Sequence, residues 1–254
     1  MDKVLYFDCL AGVSGDMTIG ALLDLGVDKE VFKEELAKLD IDGYKLKIEE
    51  EQEKGITGTD FKVSLEHSHH HFDEDDHHHH PHRNLADIEE IIESSQLSNY
   101  VKNLSKDIFR EVAEAEAKVH NKPLDQVHFH EVGALDSIID IVGAAICIEQ
   151  LNVDQIIVSP LHTGTGFVHC AHGNIPVPAP ATLEILDGVP VYSTGIKSEL
   201  VTPTGAAIAK TLAGEFKPLP EMQIEQVGYG IGDKELEISN LLRVVLGKKK
   251  VRLS

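Results

Sequence analysis

The chain has 254 residues, 42% of them hydrophobic, enough for a substantial core in one large domain or two small ones. Its net charge is −20, and subtracting the four acids of one polar tract (Asp73, Glu74, Asp75 and Asp76) still leaves −16. An acidic body argues against nucleic acid or an anionic membrane surface as partner and suits the attraction of cations. No apolar run reaches the roughly 18 residues of a membrane span, no secretory signal is visible, and three cysteines show no spacing pattern, so the expected location is cytoplasmic.

Lys3 to Cys9 reads as a short buried strand, followed by a tight loop at Gly12 and Gly15 and a helix from about Asp16 to Leu25. Gly26 stops that helix and a second runs from Lys29 to about Leu39. Tyr44–Glu51 and Phe61–Glu66 alternate apolar and polar residues as a hairpin, with Gly55 and Gly58 between them. Helices are predicted over Leu85–Ser94 and Ser98–His120, the latter apolar at helical spacings through Val101, Leu104, Ile108, Val112 and Ala115. Val127–His130 reads as extended and Asp136–Leu151 as a buried helix, with a strand at Ile156–Ser159. A Gly/Pro-rich segment, Pro160–Pro180, leads to a helix ending at Leu186. Thr202 and Pro203 carry an N-cap and first-turn signature for a helix to about Leu212, and strands follow at Gln223–Val227 and Leu241–Leu246. Strands and helices interleave without a strict βα rhythm, which predicts an α+β or mixed α/β body, helices packed on a mixed sheet. The expected organisation is one domain, 1–66 and 84–247, interrupted by a histidine-rich loop at 67–83 and closed by a basic tail at 248–254.

That loop holds nine of the fifteen histidines: His67, His69, His70, His71, His77, His78, His79, His80 and His82. Imidazoles are mostly neutral at cytosolic pH and bind nickel, zinc, copper or cobalt. The tract has no hydrophobic periodicity and reads as a mobile metal-collecting loop, the plain alternative being a solvated loop that binds metal adventitiously.

Three further groups could carry chemistry. His128 and His130 lie on one face of an extended segment, with Glu131 at the edge, and Asp136 and Asp140 share a helix face just beyond. This suits a divalent metal, although a hydrogen-bonded pair and a capping Asp136 would look the same. His162, His169, Cys170 and His172 form a second, softer donor set, with Cys170 alternatively a small buried hydrophobe. Ser14, Gly15 and Asp16 open one helix and Thr202, Thr204 and Gly205 another, and both N-termini could receive a phosphate, with Asp8 and Asp16 able to hold magnesium beside it. Gly228, Gly230 and Gly232 would permit close backbone approach.

Five segments in order, Asp8–Gly26 (DCLAGVSGDMTIGALLDLG), His128–Gly143 (HFHEVGALDSIIDIVG), Cys170–Leu186 (CAHGNIPVPAPATLEIL), Thr202–Ala207 (TPTGAA) and the GYGIG run, resemble the LarC family of nickel-insertion proteins. The resemblance implies insertion of Ni(II) into pyridinium-3,5-bisthiocarboxylic acid mononucleotide, with one carbon–nickel and two sulfur–nickel bonds, to make the nickel-pincer cofactor of lactate racemase-type enzymes. It implies a chelatase of the lyase class that uses CTP with Mg or Mn, and an apo racemase-type enzyme as recipient. Family members carry a further C-terminal domain associated with the nucleotide, which this sequence lacks, so the chain by itself is expected to be incomplete. On this reading the tract captures nickel, His128, His130, Glu131 and Cys170 hold or relay it, and the two helix N-termini receive the phosphate. The other readings are a non-catalytic nickel metallochaperone or store, and a magnesium-dependent phosphohydrolase built on Asp8 and Asp16. A homo-oligomer is compatible with all three.

Overall fold

A computed structural model of the chain describes residues 1–65, 83–127, 129, 135–170 and 173–249, with Cys170 by its backbone alone. The histidine tract, His128, His130, Glu131 and His172 therefore lie outside the described residues.

The fold is α+β. Its frame is a seven-stranded mixed sheet in the order β2-β3-β10-β11-β1-β4-β9. These strands are β1 (Asp2–Asp8), β2 (Tyr44–Glu53), β3 (Ile56–Leu65), β4 (Gln155–Val158), β9 (Glu215–Phe216), β10 (Gln223–Ile231) and β11 (Leu241–Lys249). Strand β1 pairs antiparallel with β11 and parallel with β4. Strands from both sides of the histidine tract thus enter one sheet. The side chains of β1 alternate between faces: Leu5 and Phe7 enter the main core, while Val4 and Tyr6 join Ile157 and Val245 in a smaller cluster on the other side.

Helices α1 (Gly15–Asp24), α2 (Lys29–Ala37), α3 (Leu85–Ser94), α4 (Asn99–His120), α5 (Leu135–Leu151), α6 (Pro180–Ile185) and α7 (Pro203–Leu212) build the rest. Helix α1 lies directly on β10 and β3, α5 packs behind it, and α4 packs behind α5. A helix enclosed in this way must be apolar all round, and both α1 and α5 are buried along most of their length. The outer α4 keeps one apolar stripe, led by Val101, Ile108 and Val112.

The GYGIG run is explained by this stacking. A Cβ on Gly230 would strike the Met17 carbonyl of α1, and one on Gly228 the Ala21 carbonyl, so these glycines let the helix settle on the strand. Gly58 is not part of the hairpin turn as expected. The turn is Lys54-Gly55, both at positive φ, and Gly58 lies inside β3, where a Cβ would come within 2.7 Å of the Tyr229 carbonyl. The Gly/Pro-rich segment also holds more structure than expected. It contains β5 (Leu161–His162), which pairs with β8 (Val191–Tyr192), and the hairpin of β6 (Gly166–Cys170) with β7 (Gly173–Val177).

Candidate functional site

The loop from β1 to α1 is fastened to the strand-like run before α7. Val13 N–H donates to the Leu200 carbonyl at 2.9 Å, and Thr202 N–H donates to the Val13 carbonyl at 3.2 Å. Gly12, at φ +88°, presses on the Leu200 backbone, and Gly205 presses on Val13 and Ser14, places where any Cβ would collide. Two distant segments are thereby locked together, and the N-termini of α1 and α7 open side by side at the carboxyl end of β1, where open α/β sheets commonly bind ligands.

The first turns of α5 complete a cavity of about 230 Å³. It is lined by Ser14, Gly15 and Asp16, by Asp136, Ser137 and Asp140, and by Glu199, Thr202, Pro203 and Thr204. The sequence-predicted residues Ser14, Gly15, Asp16, Thr202 and Thr204 thus meet in one place, with Gly205 in the packing contact behind it. Glu199 was not singled out from the sequence. It stands alone in a loop, and only the fastening of residues 200–202 to the β1–α1 loop brings it here.

Electrostatics change what this cavity can accept. Thr202 caps α7, its hydroxyl accepting from Gly205 N–H at 3.1 Å. Ser14 does not cap α1, because its hydroxyl donates to the Asp16 carboxylate. Four carboxyl groups face the space, and the nearby cations are already engaged. Lys234 lies 3.6 Å from the Glu199 carboxylate, and Lys62 is held between Asp60 and Asp233, 2.8 Å from each. Burial raises the Asp16 carboxyl above its ordinary range, with the Asp233 charge adding to the effect against hydrogen bonds that lower it. Burial raises Asp140 well above its ordinary range, and the charges of Asp16 and Asp136 push the same way. A bare phosphate would meet these carboxyls as a like charge, whereas a cationic group is drawn in. The volume lies below the roughly 300–1,000 Å³ of whole-ligand pockets, so one end of a mononucleotide fits rather than the whole.

Asp8 is placed differently from its expected part in magnesium binding. It is buried and ion-paired with Arg243, which reaches it from the adjacent β11, with Nε 3.0 Å from Oδ2. His162 is also committed. Its Nδ1 lies 2.8 Å from the Leu10 carbonyl, its Nε2 accepts from Thr194 N–H at 3.1 Å, and its ring stacks on Tyr192. These bonds set the tautomer and leave no free lone pair for a metal in this arrangement. His169 is exposed on the β6–β7 hairpin, 3.1 Å from Asn174 Oδ1, and the backbone of Cys170 pairs with Gly173 at the same end. Between His128 and His130, Phe129 is buried and packs on Phe109. Cys147 is core, its thiol pushed up by burial. Among the described residues, no three His, Cys, Asp or Glu side chains are gathered closely enough to hold a metal ion, and no helix is long and apolar enough to cross a membrane.

The family model described as nickel insertion protein matches residues 5–253. A pyridinium-3,5-bisthiocarboxylic acid mononucleotide nickel insertion protein of Clostridium kluyveri is 55% identical over 250 residues, covering 98% of this chain and 63% of that protein. The protein of the same name from Acetivibrio thermocellus is 53% identical over 250 residues, covering 98% of this chain and 61% of its own length. The chain thus spans about three fifths of these relatives. No solved structure gives a significant match.

Proposed function

The chain belongs to the nickel insertion protein family, and from this we propose that it takes part in placing Ni(II) into pyridinium-3,5-bisthiocarboxylic acid mononucleotide, the substrate in its relatives' names. The observation that carries the site is the acidic cavity where α1, α5 and α7 meet. Its carboxyls suit the cationic pyridinium ring and the incoming dication, so the ring end of the mononucleotide enters and the phosphate stays toward the mouth. This revises the expectation that the two helix N-termini receive the phosphate directly.

Nickel is cargo in this reading. The histidine tract collects it, and His128, His130, Glu131 and Cys170, with His169 and His172, pass it to the sulfurs of the substrate. Glu131 and Asp136 are five positions apart, a reach of at most about 18 Å, so a relay from that segment to the cavity needs no long connection. The chemistry to be achieved is one carbon–nickel and two sulfur–nickel bonds, giving the pincer cofactor of a racemase-type enzyme. CTP with Mg or Mn rests on the LarC resemblance alone, and among the described residues no three His, Cys, Asp or Glu side chains are gathered to hold its metal. The phosphohydrolase reading loses ground because Asp8 is spent on Arg243.

Reconstitution tests the proposal: this chain, Ni(II), CTP with magnesium, and the mononucleotide, with and without the C-terminal part of a longer relative. Nickel-bearing mononucleotide detected by mass spectrometry is the expected result. Stoichiometric nickel binding without product in both arms would identify a metallochaperone or store instead.

A further inference from the structure

We propose that Asp140 is the proton acceptor for the aromatic carbon that becomes bonded to nickel, an assignment that rests on the nickel-insertion reading above. The step balances without a redox partner. The ring C–H between the two thiocarboxylates breaks, its electron pair forms the bond to Ni(II), and the proton passes to the Asp140 carboxylate. Nickel stays divalent throughout, and the sulfurs hold it while the carbon is attacked.

Three observations point to Asp140 among the four carboxyls. The first is its lack of a donor. Asp16 accepts from Ser14 and Glu199 faces Lys234, and Asp136 accepts from Ser137 N–H at 2.9 Å. Asp140, by contrast, faces the cavity with no hydrogen bond recorded for its carboxyl among the described residues. Half-buried at the cavity wall, it is the carboxyl of the four whose oxygens are not committed to a donor among the described residues. The second is the absence of a side chain opposite. Any Cβ at Gly15 would collide with the Asp140 carboxyl, so the bare backbone of α1 makes the room in which that carboxyl sits. The third is rigidity. Asp140 lies inside α5, a helix buried along most of its length, flanked by Ile138, Ile139, Ile141 and Val142. A base on such an element is held in place better than one on a loop.

The groups that set its basicity are Asp136 on its own helix and Asp16 on α1. Behind them, Asp233 acts on Asp16 and is partly offset by Lys62, and Glu199 with Lys234 closes the far wall. Burial first, and then these like charges, make Asp140 a stronger base than an ordinary carboxylate. Arrival of the dication and the cationic ring offsets those like charges and leaves the carboxylate free to accept.

The test measures insertion rate against pH, with nickel and mononucleotide binding followed separately by equilibrium dialysis. Asp140→Asn is expected to slow insertion at saturating nickel and mononucleotide by about 100-fold or more, a loss well beyond any weakening of either binding constant. Asp140→Glu should recover part of the rate, and Asp136→Asn should move the alkaline rise of the profile to lower pH. A parent protein that makes no product removes the nickel-insertion reading and this assignment with it. A working parent with an equally fast Asp140→Asn variant and an unchanged profile overturns the assignment alone. A binding loss in Asp140→Asn that accounts for the whole fall in rate, with the rate restored at saturation, would also overturn it, by making Asp140 a binding residue only. If Asp140→Asn does not fold, an Asp136→Asn profile identical to that of the parent is the overturning result.

Discussion

Two residues behave differently from what their chemical type suggests. His162 belongs to a metal-like sequence cluster, yet both ring nitrogens bond the backbone and its face lies on Tyr192. His162→Ala should therefore cost about 2–3 kcal/mol in urea denaturation while nickel stoichiometry stays the same. A lost equivalent of nickel would mean that the ring leaves Leu10 and Thr194 for the metal. Asp140 is the opposite case, a carboxyl the fold holds at a disadvantage. Its folded pKa is raised, so between the unfolded carboxylate value of about 4 and the folded value the native state keeps a proton that the unfolded chain has released. Stability is whole below that window and declines as pH rises through it. Asp140→Asn is expected to melt above the parent at pH 7 and level with it near pH 3. Equal melting temperatures at both pH values would show that Asp140 carries no such strain.

At the level of elements, the α1–β10 contact is the most demanding joint in the fold. Gly230→Ala puts a methyl group against the Met17 carbonyl, backbone on backbone, with no side chain able to yield. The expected cost is about 3 kcal/mol or more. Gly55→Ala, at φ +84° with open space around it, should cost only about 1–2 kcal/mol. Comparable losses in denaturant titrations of the two variants would contradict the close seating of α1 on the sheet. The glycine spacing of GYGIG was visible from sequence, and so was its meaning as close backbone approach. That the approaching backbone is a helix of the same chain could not be seen, because Gly230 lies 211 positions from Ile19, in the middle of α1.

For the whole molecule, the histidine tract and the sheet are separable in their expected contributions. Strand β3 ends at Leu65 and α3 begins at Leu85, so the framework is complete on either side. Deleting Ser68 to His82 should leave the melting temperature within about 2 °C, as expected for changes outside the core, and remove most of the bound nickel. Nickel loading of the parent should weaken below about pH 6, as imidazoles protonate, and the deletion should flatten that dependence. Unchanged nickel content after deletion would move metal capture to the ordered donors.

The longer elements in their order and the α+β class were legible in the sequence because they rest on local rules, whereas the short strands β5 to β9 were not, being defined by their pairing. A short apolar run marks β1, alternation marks β2, 3.6-residue spacing marks α4, and Thr202-Pro203 marks the start of α7. The Asp136–Asp140 spacing on one helix face was legible for the same reason, as was the family resemblance. Tertiary structure decided which of these features share a place. The lock between Val13 and residues 200–202 brings Glu199 and the α7 N-terminus to Asp16 and Asp140, and the β1–β11 register gives Asp8 to Arg243. Neither follows from local pattern, because each is a contact between segments more than 180 residues apart, and long-range pairing depends on how the whole core closes. The charge of the site is decided there too: helix N-termini that suit a phosphate one at a time become, packed against α5, an acidic cavity for a cation.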